Sequence, residues 1–395
     1  MPTVKKKPSL DFSLVGLIYT SMMLFMGLAA MNSKANLLYG VFGLMIGVLL
    51  VSGALSRLGL RKLEIRRSLP EAIVVGQPAV FQYEFHNQKR FWPSLSVTVG
   101  ELSGVEAFAK QPQAYLLHAA AGTKATVPMQ VLATRRGLHE LELYQLSTSF
   151  PFGFIKRAIR RRQKDTVLVY PAIAAVDERL FSECLSAELS GARIKPRRGG
   201  SDEFFGVKEY RQGENPRWIY WRRTARTGTL VAKEMTQVAP PRLLLLVDTF
   251  LQEQTSAERA AVERTIAMAG SLVTSSVDRG LIVGLCVWSG AWVAVPGSRG
   301  KRHARDLMAV LARLQENVTA DSRMLLDKGR RLMRSGTTTI VLTPHEVERS
   351  LMDQARGNWL VIGAGSEQAR RWFRFAGEVD FEHCMPPQQE AAAGR

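Results

Sequence analysis

The chain has 395 residues, 46% of them apolar, and a formal net charge of +18. That length leaves room for two or three domains, the apolar fraction excludes a wholly disordered chain, and the positive excess favours anionic partners such as nucleic acid or an anionic membrane face. Three cysteines, Cys184, Cys286 and Cys384, lie far apart with no CxxC or Cys/His cluster, so neither a disulfide framework nor a zinc site is indicated.

Residues 14–31 and 37–55 carry no charge. A helix needs about 20 apolar residues to cross a hydrocarbon core of about 30 Å, so the two segments predict a transmembrane hairpin within residues 1–62. Lys5, Lys6 and Lys7 would also suit a signal peptide, but a second apolar segment follows too closely. Gly27, Gly40, Gly43 and Gly47 are expected at close helix contacts, Gly43 and Gly47 with GxxxG spacing. Basic residues flank the pair at Lys5–Lys7 and at Arg57, Arg61, Lys62, Arg66 and Arg67, with only Lys34 between the spans. The positive-inside rule then puts both termini in the cytoplasm and residues 32–36 in an external turn, in a multi-pass membrane protein.

Over residues 63–171 the period changes to two. Phe81, Tyr83 and Phe85 alternate with Gln82 and Glu84; Leu95, Val97 and Val99 with Ser96 and Thr98; Leu141 and Leu143 with Glu140, Glu142 and Tyr144. Turn signals at 76–78, 87–88, 136–137 and 151–153 separate the runs. Half-buried antiparallel strands with such turns predict a β-sandwich-like domain, and it holds no catalytic cluster.

Residues 172–205 form a basic connector with Arg193, Lys195, Arg197 and Arg198. Beyond it, Asn215 suits a helix N-cap, Pro216 the first helical position and Gly228 the C-terminal cap. Trp218, Trp221 and Ala225 share one helical face, expected to be buried, while Arg217, Arg222, Arg223 and Arg226 project around the rest. Two readings stand side by side. Either Glu209 and Glu214 pair with these arginines, or the arginines bind an anionic ligand or acidic partner; the planar guanidinium suits both. No GxxxxGK[ST] phosphate loop is present.

Tyr210, Gly213, Arg217, Ile219, Trp221, Ala225 and Arg226, with Glu214 where an aspartate is usual, resemble the signature of the DUF58 family. Arg136-Gly137, Pro151-Phe152-Gly153 and Val169-Tyr170-Pro171 resemble that family's β-domain. The resemblance implies a bacterial membrane protein with a von Willebrand factor A-like domain, working beside a MoxR-type AAA+ ATPase.

Residues 206–376 read as this signature segment followed by an α/β unit. Apolar runs at 243–247, 281–288, 291–295, 338–342 and 360–362 alternate with amphipathic patterns at 262–277, 307–314 and 324–333. Continuous apolar strands between such helices predict a doubly wound, mainly parallel sheet. Asp248 ends the first strand, where ligands bind in such folds. Metal-binding A domains carry DxSxS there, but Phe250 and Gln252 replace the serines and Thr343-Pro344-His345 brings no second aspartate, so a degenerate metal site without a bound ion is expected. The tail, 377–395, is expected to be disordered.

The six histidines form no HExxH or triad-like motif. The chain is therefore expected to be no enzyme and to need no cofactor. The reading is a membrane-tethered interaction or assembly protein. A metal-dependent hydrolase and a basic binder of nucleic acid or anionic lipid are the alternatives. The densest basic run, Lys156, Arg157, Arg160, Arg161, Arg162 and Lys164, is better explained by anionic lipid than by nucleic acid.

Overall fold

The computed structural model describes residues 9–33, 35–183, 197–212, 214–237, 241–333, 336–346, 359–377 and 379–384. The chain divides into two compact units, 1–173 with 308–315 and 375–395, and 174–307 with 316–374.

In the first unit a short strand, β1 (Ser9–Phe12), leads into helices α1 (Leu14–Ser33) and α2 (Asn36–Leu60). Only 11% and 6% of their most apolar windows are buried. The Tyr19 hydroxyl of α1 donates to the Met45 carbonyl of α2 at 3.1 Å. Gly27 sits under the Phe42 ring, where an added Cβ would lie 2.9 Å from it. Gly40, Gly43 and Gly47 face open space, so the GxxxG pair does not form the helix contact. One small residue opposite one large ring makes the close approach instead. Lys5–Lys7 and Lys34 fall outside the described residues.

The strands that follow are β2 (Leu63–Ser68), β3 (Ile73–Val74), β4 (Pro78–Asn87), β5 (Ser94–Glu101), β6 (Gln113–Ala119), β7 (Lys124–Leu132), β8 (Gly137–Thr148) and β9 (Ile155–Tyr170). They form a larger sheet ordered β1-β9-β8-β5-β6, with β3 also on β9, and a smaller one ordered β2-β4-β7. Phe81, Tyr83 and Phe85 all point inward as the alternation predicts. Two other alternations fail. Ser96 takes φ +48°, and the buried positions become Ser94, Val97 and Val99 rather than Leu95. A register shift between Leu141 and Leu143 turns Tyr144 inward and leaves Leu143 38% exposed.

Arg67 explains the second failure. Its side chain is 2% exposed, with Nη1 2.6 Å from Glu101 and Nη2 2.7 Å from Asp165. Nη2 also donates to the carbonyls of Leu141 and Gln163 at 2.8 and 3.0 Å. Those carbonyls sit beside the register shift, so the guanidinium serves acceptors where the ladder is irregular. Tyr83 donates to the other Glu101 oxygen at 2.6 Å. Burial opposes the Arg67 charge, but Glu101 and Asp165 more than offset it and raise its pKa. Arg67 is thus a core residue, not a free flanking charge.

In the second unit, β10 (Ala174–Val176) precedes a hairpin of β11 (Arg197–Glu209) and β12 (Val231–Gln237). The end of the expected connector is therefore strand; Ala187–Gly191, Arg193 and Lys195 lie outside the described residues. Strands β13 (Arg242–Val247), β14 (Ile282–Trp288), β15 (Trp292–Ser298), β16 (Thr337–Thr343) and β17 (Trp359–Gly363) form one sheet ordered β15-β14-β13-β16-β17. All neighbours are parallel except β15 on β14. Leu244, Leu246, Cys286 and Val341 pack on Leu325 and Leu326 of helix 322–332. Gly329 of that helix lies so close to Leu246 that a Cβ would fall 2.3 Å from its side chain. Helix 256–278 buries Val262, Ile266, Ala269 and Val273, as the periodicity predicts, and Thr255 caps it by accepting from the Glu258 amide.

The expected disordered tail is packed in part. Phe381 is 9% exposed, its ring 5.2 Å from Phe375, and Cys384 is buried, its carbonyl accepting from the Arg136 amide at 3.0 Å.

Removing one partner of a buried ion pair typically costs about 3–5 kcal/mol, because the other charge is stranded. Arg67→Met should destabilise the chain by about that amount in urea melts in detergent, and Arg67→Met with Glu101→Leu should recover part of the loss. Equal stability of Arg67→Met and the unmodified chain would show that the network is dispensable.

Candidate functional site

Two places in the second unit collect the chemistry-bearing residues. The first is at the carboxyl end of the sheet. Because β13 and β16 run parallel with Val247 opposite Leu342, the next residues, Asp248 and Thr343, come side by side. The Asp248 amide donates to the Leu342 carbonyl at 2.8 Å. Its carboxyl is buried, with Oδ2 accepting from Ser322 Oγ at 2.5 Å and Thr343 Oγ1 at 3.0 Å. Oδ1 accepts from the Phe250 amide at 3.1 Å. His345 Nε2 lies 3.0 Å from the Phe250 carbonyl and its Nδ1 3.9 Å from Glu258. Glu258 accepts three amides, from Gln252, Glu253 and Gln254, at 2.6 to 2.9 Å. Burial would raise the Glu258 pKa, but these amides hold it below the usual range.

Burial pushes the Asp248 pKa up against its three donors. Ser322 and Thr343 supply oxygens that the neighbouring sequence lacks, yet the cluster offers a divalent ion one carboxylate where about six hard oxygens are needed. Among the described residues no group of three His, Cys, Asp or Glu side chains could hold a metal. One carboxylate with two hydroxyls does not fit a divalent ion. These residues fit a hydrogen-bonded latch joining the ends of two strands to the start of helix 322–332. Ser322 and Glu258 were missed because nothing in their local sequence marks them; Thr343 was legible only as the residue ending a strand.

The second place is the signature segment between β11 and β12. Asn215 caps as expected, its Oδ1 accepting from the Arg217 amide at 3.1 Å, and Gly228 takes φ +72°. The single helix of the sequence reading is instead a 3-10 turn (Pro216–Trp218) and a separate seven-residue helix, α3 (Trp221–Thr227). Ile219 breaks the two apart by bridging to Ala232 of β12. The side chain buried here is therefore Ile219; Trp218 is half-buried, Ala225 is exposed and Trp221 is 64% exposed. The expected tryptophan face is not a packing face. Tyr210 donates to the Glu214 carbonyl at 2.9 Å. Glu214 pairs with Lys208 at 2.6 Å rather than with an arginine, and this bond lowers its pKa. Arg217, Arg222, Arg223 and Arg226 are exposed, and among the described residues none has a carboxylate partner. Gly213 lies outside the described residues.

A buried carboxyl with a raised pKa takes up its proton more readily folded than unfolded, so stability falls as pH rises from the ordinary carboxylate range through the folded value. Asp248→Asn keeps an acceptor for the Phe250 amide and cannot ionise. It should melt no lower than the unmodified chain at neutral pH and should flatten the pH dependence of melting across the acid range. Asp248→Ala should cost about 1–3 kcal/mol through stranded donors. Marked loss of stability in Asp248→Asn would show that the ionised carboxylate is required.

None of the curated proteins compared matches the chain. Two crystal structures of β-glucosidase from Listeria innocua are similar to it, one in complex with glucose. Their identities are 15% and 14% and their TM-scores 0.18 and 0.17, each match covering 27% of this chain and 16% of theirs. The chain thus spans about a sixth of their length, and so low a score carries no argument. Residues 206–357 match the family described as protein of unknown function DUF58, a stretch that holds the signature segment and strands β12 to β16. Over that segment the chain is similar to the DUF58 family.

Proposed function

We propose that the chain is a membrane-tethered interaction or assembly protein that works with a MoxR-type AAA+ ATPase at the plasma membrane, both termini in the cytoplasm. The observation that carries the tether is the exposure of α1 and α2. Helices of 20 and 25 residues with mean hydropathy of 1.9 and 2.2 leave about nine-tenths of their apolar windows uncovered. A core helix of a soluble domain buries such a surface, and in water a patch of this size would drive association. A cleaved leader fits poorly, since Tyr19 of α1 stacks on Phe154 at 4.1 Å.

The signature segment supports the partner surface. Arginine and tryptophan are enriched among residues that dominate binding energy, and here an exposed Trp221 stands among four exposed arginines. That composition suits an acidic protein surface. The mainly parallel sheet with Asp248 at a strand end supports a von Willebrand factor A-like domain with its metal site lost, and the two strand layers of the first unit support a β-sandwich-like module. The chemistry at Asp248 supports no catalytic role. Binding of anionic lipid is a secondary property on this reading: Arg162 pairs with Glu142 and Lys164 with Glu140, which neutralises part of the basic run.

Trp221→Ala and Arg223→Glu should both melt within about 0.5 kcal/mol of the unmodified chain, as surface changes do. Each should lose capture of the MoxR-type ATPase in pull-downs from detergent extracts by tenfold or more. Normal capture by both variants would move the partner surface elsewhere.

A further inference from the structure

We propose that the first unit is seated in the lipid headgroup layer by two aromatic loops, residues 88–93 and 150–154, held beside the ends of the two long helices. The inference rests on the membrane reading above and adds a second contact with the bilayer.

Loop 150–154 is wedged between the helix ends. The Ser13 amide donates to the Phe154 carbonyl at 3.0 Å and the Ser13 hydroxyl donates to the Gly153 carbonyl. Gly16 lies so close that a Cβ would fall 2.1 Å from the Phe154 oxygen. Tyr19, stacked on Phe154, is five residues into α1, about 7 Å along its axis. From the other side Ser56 of α2 donates to the Phe150 carbonyl at 2.7 Å, and Gly53 approaches Ile155. The loop therefore lies level with the first turn of α1, and Phe152, stacked 5.6 Å from Phe154, is left 49% exposed.

Loop 88–93 is pinned to the end of α2 by a buried lysine. Lys89 Nζ donates to the carbonyls of Leu58 and Gly59 at 3.0 and 2.9 Å and to Ser94 Oγ at 2.8 Å. Asn87 Nδ2 donates to the Trp92 carbonyl at 3.1 Å and closes the loop base. What the loop presents outward is Phe91, 77% exposed, and Trp92, 53% exposed, with the Arg90 guanidinium 5.1 Å from the Phe91 ring. So rigid a base holding bare aromatics fits a surface that is already in place. Where α2 leaves the hydrocarbon, that surface is the interface, in which amphipathic rings settle and arginines reach headgroup phosphates.

The test uses the full chain in vesicles of phosphatidylethanolamine and phosphatidylglycerol. An environment-sensitive fluorophore is placed at Phe91→Cys, Phe152→Cys or Ala109→Cys in a Cys184→Ser background, Cys286 and Cys384 being buried. Ala109 is exposed and bonds to Leu132, which pairs with Pro78 at the far end of β4 from Asn87, about 30 Å away. Labels at 91 and 152 should be quenched several-fold more by a lipid-borne spin label than the label at 109, and several-fold less by aqueous iodide. Flotation of the same vesicles reports the helices separately. A chain that fails to float overturns the membrane reading. A chain that floats with labels 91 and 152 open to iodide overturns only the seating of the loops. Shielding from both quenchers would mean that protein covers the loops, which overturns it as well.

Discussion

The guanidinium of Arg67 organises the first unit. It engages two carboxylates and two carbonyls drawn from β5, β8 and β9, while its own strand pairs with β4 in the other sheet. Only a planar fork with five donors can serve that many acceptors at once. Tyr83 completes Glu101 from β4, and burial followed by the Glu101 charge pushes its pKa up, so the hydroxyl remains a donor. Since β2 starts just after α2 ends, this network also fixes the chain where it leaves the helix pair. Lys89 does the same from the side by occupying carbonyls at the end of α2, and burial pulls its pKa down to about 8. The last carbonyls of a helix need such a partner when water is scarce.

This network marks the limit of what the sequence discloses. The alternations that succeed, such as Phe81-Tyr83-Phe85, involve only apolar partners, and periodicity measures apolar partners. Those that fail lie at a positive-φ serine and at a ladder shift beside the buried charge. A buried arginine looks the same in sequence as an exposed one, so Arg67 reads naturally as one more basic residue after a membrane span. The α/β unit was legible almost strand by strand because its central strands are buried on both faces and helix 256–278 is long. The glycines show the converse: spacing identified a motif at Gly43 and Gly47, but contact depends on which side of the helix meets a large ring, and that was Gly27 opposite Phe42.

The candidate sites differ in legibility for a related reason. Caps are local, and Asn215 and Gly228 behave as their chemistry requires. A helical face is not local. Trp218, Trp221 and Ala225 share a face only if the helix is continuous, and the bridge from Ile219 to Ala232 interrupts it. Asp248 was legible as a strand end, but its hydroxyl partners come from residues 74 and 95 positions away. Those distances are set by the sheet order, which a single sequence does not print.

Charge is distributed differently over the two units. A net charge of +18 remains after every carboxylate is counted, but where that excess acts depends on which basic residues are locally paired: Lys124 with Glu84, Arg162 with Glu142, Lys164 with Glu140, Lys208 with Glu214. Such exposed pairs stabilise little, about 0–1 kcal/mol each, but they cancel long-range attraction. The four signature arginines, which no described carboxylate answers, keep theirs. An uncancelled cluster around an exposed tryptophan combines steering at a distance with apolar contact at close range. The first unit differs in its uncovered apolar surface along α1 and α2 and in the buried pairing of Arg67 with Glu101 and Asp165. The first unit's bare surface is thus apolar along its two long helices, whereas the second carries its unanswered arginines around a bare aromatic ring.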